Sequence, residues 1–155
     1  GPVIDKLASL GNAETYTLPT PLSNTKEIEF SFSGLKTAAV TLIKKHEREY
    51  KNLILEDFCA AFQKAVIASL LCKIKLAIDV SGVRRLTLSG GVAANSGLRA
   101  SLLKMAEKEK CELFLPPVSM CTDNAAMIAA AGFNGYMRGR RSDLSLSPDP
   151  SWELW

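Results

Sequence analysis

A glycine-rich turn before a helix is the first place where this sequence could bind a ligand. Residues 86–103 read LTLSGGVAANSGLRASLL, with Gly90 and Gly91 after a short apolar segment and Asn95 in the opening turn of the helix. Glycine lets a ligand approach the backbone, and the first turn of a helix offers unpaired N–H groups that suit a phosphate. The pattern indicates an anion or nucleotide site. It matches neither GxGxxG nor GxxxxGK[ST], so a strand-to-helix turn that binds nothing stays open as the alternative.

Two carboxylates stand near the beginnings of other predicted helices. Asp123 comes just before the last helix, where it is interpreted either as the N-cap or as a hard oxygen ligand of a metal ion. A single carboxylate cannot hold a catalytic metal, so such a site would need ligands from elsewhere. Asp5 lies one turn into the first helix. It either faces solvent and favours the helix dipole, or accepts hydrogen bonds from a ribose.

The remaining polar residues offer less chemistry. His46 is the sole histidine, lies in the mixed-charge segment KKHERE, and is predicted to be a solvated surface residue rather than a ligand or base. No Ser/His/Asp or Cys/His set can be assembled around it. Arg138, Arg140 and Arg141 form a basic patch. This patch is interpreted as a solubilising surface, with contact to RNA phosphates as the alternative.

Composition limits the class of protein. The 155 residues are 47% hydrophobic, enough for the core of one domain, and the net charge of +3 permits a nucleic-acid partner without requiring one. The sequence has no apolar run of membrane-spanning length, no signal-peptide pattern and no C-x-x-C spacing among its four cysteines. These features predict reduced thiols, no membrane partner, and a location in the cytoplasm or an organellar matrix.

Alternating helix and strand patterns must position these residues. The apolar spacing predicts helices over residues 2–10, 35–49, 55–80, 94–108 and 123–137, and strands over residues 28–32, 85–89 and 111–115. Gly11 and Gly82 are predicted to end the first and third helices, and the tail from Gly139 to be extended. The alternation indicates an α/β layered fold. Ligands in such folds bind beyond the carboxyl ends of strands, which points to the loops 89–91 and 116–124.

Five segments are distinctive when taken together and in order: GPVIDKLA, FSFSGLKTA, SGGVAANSGLR, LPPVSMCTDNAAMIA and SWEL. They resemble the C-terminal half of the tRNA N6-adenosine threonylcarbamoyltransferase family, the TsaD-type proteins formerly labelled O-sialoglycoprotein endopeptidases. The resemblance implies an actin-like ATPase lobe of the ASKHA, ribonuclease H-like kind, with a mixed sheet flanked by helices. Residues 1–155 would supply most of the C-terminal lobe, with residues 139–155 as its tail and the N-terminal lobe absent.

The same resemblance implies an activity and a set of site residues. Family members transfer a threonylcarbamoyl group from threonylcarbamoyl-AMP to N6 of the adenosine at tRNA position 37. Gly1, Asp5 and Asn95 would bind the adenylate, and Asp123 would be a ligand of one divalent metal ion, iron or alternatively zinc or magnesium. Asn95 and Asp123 are expected to face one crevice. The motif that supplies the other metal ligands in the family, HxxxH, is absent from this sequence, so the fragment alone is predicted to be inactive.

Partners and alternatives follow from the resemblance too. The implied partners are tRNA with adenosine at position 37 and, in a bacterium, TsaB- and TsaE-like proteins. The first alternative is an actin-like ATPase or sugar kinase lobe that transfers a phosphoryl group to a different acceptor. The second is a non-catalytic scaffold paralogue, against which the intact SGGVAAN and CTDNAAM segments argue. The tail reads DPSWEL where the family more often has an Arg–Pro–Arg–Trp type of sequence, which leaves its role open.

Overall fold

The computed structural model describes residues 1–21, 25–49, 51–148 and 151. Its elements are α1 Pro2–Ala8, α2 Ser33–Arg48, α3 Leu55–Ser81, β1 Arg85–Thr87, α4 Ser96–Lys108, β2 Glu112–Phe114 and α5 Ala125–Met137, with 3₁₀ turns at Gly91–Ala94 and Val118–Met120. The α/β class is confirmed, and the five predicted helices are present with ends that shift by no more than two residues. The chain divides into two units, Gly1–Cys121 and Thr122–Trp155.

The sheet of the first unit is a parallel pair. Within the described residues it consists of β1 and β2, with Leu86 opposite Leu113. The turn at 91–94 and α4 connect the two strands and form the crossover of a β–α–β unit. The buried positions of α4 are Leu98, Leu102 and Ala106. Because the strands are parallel, the loops that follow them leave from the same edge of the sheet, as the sequence predicted.

The long helix α3 is the centre of the first unit, and α1, α2 and α4 all contact it. Its apolar stripe at every fourth residue is only half-buried, whereas the deeply buried face carries small residues such as Ala61 and Ala65. Small side chains at these positions let neighbouring helices approach α3 closely. Gly82 ends α3 in the left-handed conformation with φ +69°, which confirms its predicted role.

Gly11 has a different role from the predicted one. Helix α1 ends at Ala8, with Ser9 as a right-handed cap, so Gly11 does not stop the helix. A Cβ atom on Gly11 would lie 2.2 Å from both the carbonyl carbon and oxygen of Glu56. Glycine is therefore required because the segment after α1 crosses the first turn of α3 in backbone contact.

Asp57 secures this crossing. Its carboxylate accepts the Asn12 N–H at 2.7 Å and the Thr15 hydroxyl at 2.8 Å. The hydrogen bond from the Asn12 N–H, followed by that from Thr15, lowers the pKa of Asp57. The carboxylate thus ties the loop after α1 to the amino end of α3.

Lys73 is a buried lysine on the inner face of α3, only 1% exposed. Its ammonium group donates to the Thr25 carbonyl at 3.0 Å, the Thr25 hydroxyl at 2.7 Å and the Glu27 carbonyl at 2.7 Å. Three neutral acceptors satisfy the three donors of the ammonium group. The lysine therefore holds the segment before α2 against α3.

The prediction of a strand over residues 28–32 is wrong. These residues precede α2 without forming a strand, and no strand of the described residues pairs with them. The alternation of side chains is real, because the rings of Phe30 and Phe32 stack with centroids 6.4 Å apart. Alternation of apolar and polar side chains with a period of two indicates an extended backbone. A strand also needs a neighbouring strand that pairs with its N–H and C=O groups. Ser33 and Gly34 lie in the first turn of α2 rather than before it.

The second unit contains α5. Asn124 is its N-cap, accepting the Met127 N–H at 3.0 Å, and no residue of α5 is buried. Gly139 follows with φ +74°, and residues 140–148 form no helix or strand. The terminal SWEL segment lies outside the described residues except for Ser151. In the described residues, no helix combines the length and apolar character that a membrane span requires.

Candidate functional site

The glycine-rich turn after β1 is shaped by Gly90. This residue has φ +86°, a left-handed conformation that glycine adopts without steric penalty, whereas Gly91 has no such requirement. The Ala93 N–H donates to the Gly90 carbonyl at 2.9 Å, and the Asn95 N–H to the Val92 carbonyl at 3.0 Å, which closes the 3₁₀ turn. Gly90, Gly91 and Val92 are exposed, so the backbone of the turn is accessible to a ligand.

Asn95 is the N-cap of α4. Its Oδ1 accepts the Leu98 N–H at 2.8 Å, and its Nδ2 donates to Oε1 of Gln63 on α3 at 2.7 Å. The side chain that was predicted to touch the nucleotide is therefore already held by two neighbours. One N–H of its amide is not used in these bonds.

Asp5 reaches the same helix end from α1. One carboxylate oxygen accepts the Ser96 N–H and the other accepts the Ser96 hydroxyl, both at 2.9 Å. The simple solvent-facing interpretation of Asp5 is therefore wrong. Partial burial raises the pKa of Asp5, but bonds from Ser96, Gly97 and Gln63 outweigh it and hold that pKa below its ordinary value.

A cavity of about 130 Å³ lies beside Asn95. It is lined by Gly1 and Asn95 and by apolar side chains of α1 and α3, including Ile4, Phe62 and Val66. The Gly1 carbonyl also accepts the Asp5 N–H at 3.1 Å. The three residues that were predicted to bind one ligand thus lie together in the first unit.

Arg99 connects the two loops that leave the carboxyl edge of the sheet. Its Nε donates to the carbonyl of Ala93 at 2.6 Å, and its Nη2 donates to the carbonyl of Pro116. The same Nη2 lies 3.6 Å from Sγ of the buried Cys121. The guanidinium therefore fixes the turn after β1 against the loop after β2.

The family model described as tRNA N6-adenosine threonylcarbamoyltransferase, TsaD, matches residues 1–130, well over half of the chain. The chain belongs to this family. Among similar proteins of that name, the one from Thermosipho africanus is 43% identical over 154 residues, which cover 99% of this chain and 46% of the relative. The one from Trichlorobacter lovleyi is 42% identical over 154 residues and is covered over 45% of its length. The one from Bacillus anthracis is 44% identical over 155 residues, again 45% of its length. The chain thus spans somewhat less than half the length of these threonylcarbamoyltransferases.

Asp123, the predicted metal ligand of this threonylcarbamoyltransferase-family chain, lies in the second unit. The N-cap interpretation is wrong, because Asn124 caps α5 and Asp123 precedes it by one residue. Asp123 is exposed, and the hydrogen bonds and ion pairs found among the described residues do not involve its carboxylate. No cluster of three or more His, Cys, Asp or Glu that could hold a metal occurs in the described part of the chain. Its metal role and the crevice shared with Asn95 stay predictions.

The structure also shows the contacts of His46 and of Arg141, two basic residues singled out in the sequence. His46 is half-buried rather than solvated, with Nδ1 3.0 Å from the Leu42 carbonyl and its ring edge-on to Tyr16 at 5.4 Å. In the second unit, the guanidinium of Arg141 stacks on the Tyr136 ring at 3.8 Å. The interpretation of Arg138, Arg140 and Arg141 as a solubilising surface, with RNA contact as the alternative, stays a prediction.

Sequence reasoning missed two residues that organise this threonylcarbamoyltransferase-family site. Gln63 is a lone amide in the apolar stretch CAAFQKAVIASLL, and a polar residue on a half-buried helix face needs a partner. Arg99 stands in the opening turn of α4, where a positive charge opposes the helix dipole and therefore calls for another explanation. Both signals were present in the sequence.

The lowered pKa of Asp5 predicts a dependence of stability on pH. Such a carboxyl stabilises the fold fully above its unfolded pKa, near 3.8, and this contribution is lost as the pH falls through its folded pKa. At about pH 6, Asp5→Asn should lower the free energy of unfolding by roughly 1 kcal/mol, and the difference from the wild type should shrink below the unfolded pKa. Urea titrations of both proteins across this range measure it. Parallel pH profiles would show that ionisation of Asp5 does not stabilise the fold.

Proposed function

We propose that this chain is the adenylate-binding part of an enzyme that transfers a threonylcarbamoyl group from threonylcarbamoyl-AMP to N6 of adenosine 37 in tRNA. The observation that carries the proposal is the meeting of Gly1, Asp5 and Asn95 at one exposed glycine turn, in a chain of the threonylcarbamoyltransferase family. The parallel pair with its crossover helix suits the proposed actin-like lobe, whose remaining sheet would come from the rest of the protein. A tRNA substrate agrees with a location in the cytoplasm or an organellar matrix.

The adenylate would lie mainly over the turn rather than inside the cavity. A cavity of about 130 Å³ is smaller than the roughly 300–1,000 Å³ of ligand pockets, so it would take only part of a nucleotide. The exposed backbone at Gly90 and Gly91 leaves room for the polar remainder, and the unused N–H of Asn95 would donate to it. The apolar lining of the cavity would thereby contact one part of the ligand, and the turn would contact its polar part.

Asp123 would provide one oxygen ligand to the divalent metal implied by the resemblance, iron or alternatively zinc or magnesium. Its exposed carboxylate, free of partners in the described residues, fits that role, and carboxylates bind each of these metals. Further ligands would have to come from an HxxxH motif outside residues 1–155. When bound, the metal would polarise an oxygen of the substrate as a Lewis acid.

The residues of this chain would promote the reaction by positioning the adenylate. In the proposed reaction the N6 amine of adenine attacks the carbamoyl carbon, a C–N bond forms, the C–O bond to phosphate breaks, and AMP leaves. Holding the adenylate rigidly at a prebuilt turn makes the attack effectively unimolecular. The residue that accepts the N6 proton is not assigned. In a bacterium, TsaB- and TsaE-like proteins would assist the enzyme.

Substitution of Asn95 in the complete protein tests the proposal. Asn95→Ala removes the N-cap and the amide donor and should lower the free energy of unfolding by about 1 kcal/mol. Asn95→Ser keeps a capping oxygen, so it should be nearly as stable as the wild type. Both variants should bind AMP about tenfold more weakly, because both lack the amide N–H. Calorimetry with AMP measures affinity, and mass spectrometry of tRNA nucleosides measures the modification.

The serine variant is the decisive one because it separates capping from ligand binding. AMP affinity equal to that of the wild type would remove Asn95 from the site. Absence of threonylcarbamoyladenosine from tRNA incubated with the wild-type enzyme, its partners and threonylcarbamoyl-AMP would overturn the proposed function.

A further inference from the structure

Gln63 of α3 lies where three elements meet. Its Oε1 accepts the Asn95 Nδ2 N–H at 2.7 Å, and its side chain lies near the Asp5 carboxylate, where it helps to lower the pKa of Asp5. Its Nε2 occupies the space beside Gly97, where a Cβ atom would lie only 2.7 Å away. Gln63 thus bonds to one of the residues proposed to bind the adenylate and lies near a second.

The chemistry of its neighbours fixes how the Gln63 amide must point. Oδ1 of Asn95 faces the Leu98 N–H, so its Nδ2 is the atom that faces Gln63 and donates to it. The ionised Asp5 can offer only acceptors. An amide satisfies both at once, with its oxygen toward Asn95 and its nitrogen toward Asp5. A carboxylate or an ammonium group in its place would satisfy one partner and oppose the other.

Packing does not explain a glutamine here. Phe62, Val66 and Ile67, which line the cavity with Gln63, are apolar and half-buried. Methionine has nearly the same length and would fill the same space in such surroundings. The polar end of Gln63 is therefore selected by Asp5 and Asn95 rather than by the core.

We propose that Gln63 is a positioning residue for the adenylate, an inference that rests on the proposed function. It locks the Asn95 amide in one rotamer, uses one of its two N–H groups, and leaves the second for the ligand. By lying near Asp5 as well, it supports the bonds of Asp5 to Ser96 that join α1 to the amino end of α4. The binding geometry is then built before the ligand arrives, which lowers the entropy lost on binding.

Two substitutions in the complete protein test this role through a pH profile. Gln63→Met removes the bond to Asn95 and the polar group near Asp5, and it should weaken AMP binding about fivefold at every pH, relative to the wild type. Gln63→Glu keeps the shape but places a second carboxyl beside Asp5. Repulsion should weaken AMP binding about tenfold at neutral pH, and the loss should recover as acid protonates the introduced carboxyl, whose pKa is raised by its neighbour. If Gln63 only filled space, the Gln63→Glu variant would show no such pH dependence.

Lys64→Met is the matched control. Lys64 is the next residue of α3, is exposed, and pairs with Glu14 at 2.5 Å. This variant should bind AMP as the wild type does from acid to neutral pH. In kinetic assays the Gln63 variants should raise KM for threonylcarbamoyl-AMP more than they lower kcat, because the reacting atoms are not touched.

The outcomes separate this inference from the proposed function. Failure of the wild type to bind AMP, or to modify tRNA, counts against the function. Wild-type binding together with folded Gln63 variants of unchanged affinity at every pH overturns the positioning role. Should either variant unfold, Gly97→Ala decides instead: its Cβ displaces the Gln63 amide without altering it, and AMP affinity must fall several-fold if the inference holds.

Discussion

Gly11→Ala is expected to lower the free energy of unfolding by about 3 kcal/mol. The new Cβ would lie 2.2 Å from the carbonyl group of Glu56 and 2.6 Å from the Asp57 nitrogen. These are backbone atoms of a helix, so they cannot rotate away as a side chain would. Relief requires lifting the loop after α1 off α3, and that movement breaks the bonds of Asn12 and Thr15 to Asp57. Urea denaturation of the complete protein measures the loss.

Gly34→Ala is the matched control for this effect. It lies in the first turn of α2, and its Cβ would meet only the ring of Pro21 at 3.8 Å, an ordinary contact. Alanine is the better helix former, so this variant should be as stable as the wild type or more stable by up to about 1 kcal/mol. Equal stability of both alanine variants would show that the backbone contact at Gly11 is absent.

Arg99→Ala is the second change from which we expect a large effect, again about 3 kcal/mol. It removes charge-assisted bonds to the carbonyls of Ala93 and Pro116, and Ala93 is fully buried, so its carbonyl cannot turn to water. Both loops at the sheet edge should loosen together. Hydrogen exchange should therefore increase in the turn 91–94 and in residues 116–121, while the centre of α3 stays protected.

Two further variants sharpen the Arg99 experiment. Arg99→Lys keeps the charge but has no planar fork, so it should restore one loop contact and recover only part of the stability. Lys104→Ala changes an exposed charge of the same helix and should leave exchange unaltered. Unchanged exchange in both loops of Arg99→Ala would contradict a clamp between them.

Helices were the most predictable part of the fold. The apolar period placed each helix to within two residues, since the period depends on local sequence alone. The strand over residues 28–32 failed because pairing depends on a neighbour that a local pattern does not contain. The interpretation of Asp123 as the N-cap of the last helix failed for a related reason, because the adjacent Asn124 takes that position. Both residue types cap helices, and a shift of one position is within the error of any predicted helix end.

The candidate site was predictable in its residues but not in its connections. Asn95 and Gly90 follow from the local turn pattern, and the family resemblance indicated Asp5. The bond from Ser96 to Asp5 spans 91 positions, and that from Asn95 to Gln63 spans 32. Such contacts depend on how α1 and α4 pack on α3, which no local spacing encodes. Residues that act through other residues were therefore the ones missed.

The long separation between Asp5 and Ser96 has a consequence for biosynthesis. A ribosome makes the chain from its amino end, so the carboxylate exists well before the serine that it will bind. Helix α1 can pack on α3 once α3 has left the exit tunnel, but Asp5 has no Ser96 to bind until the start of α4 has followed. If the proposed function holds, a nascent chain that ends before Ser96 lacks a complete adenylate site.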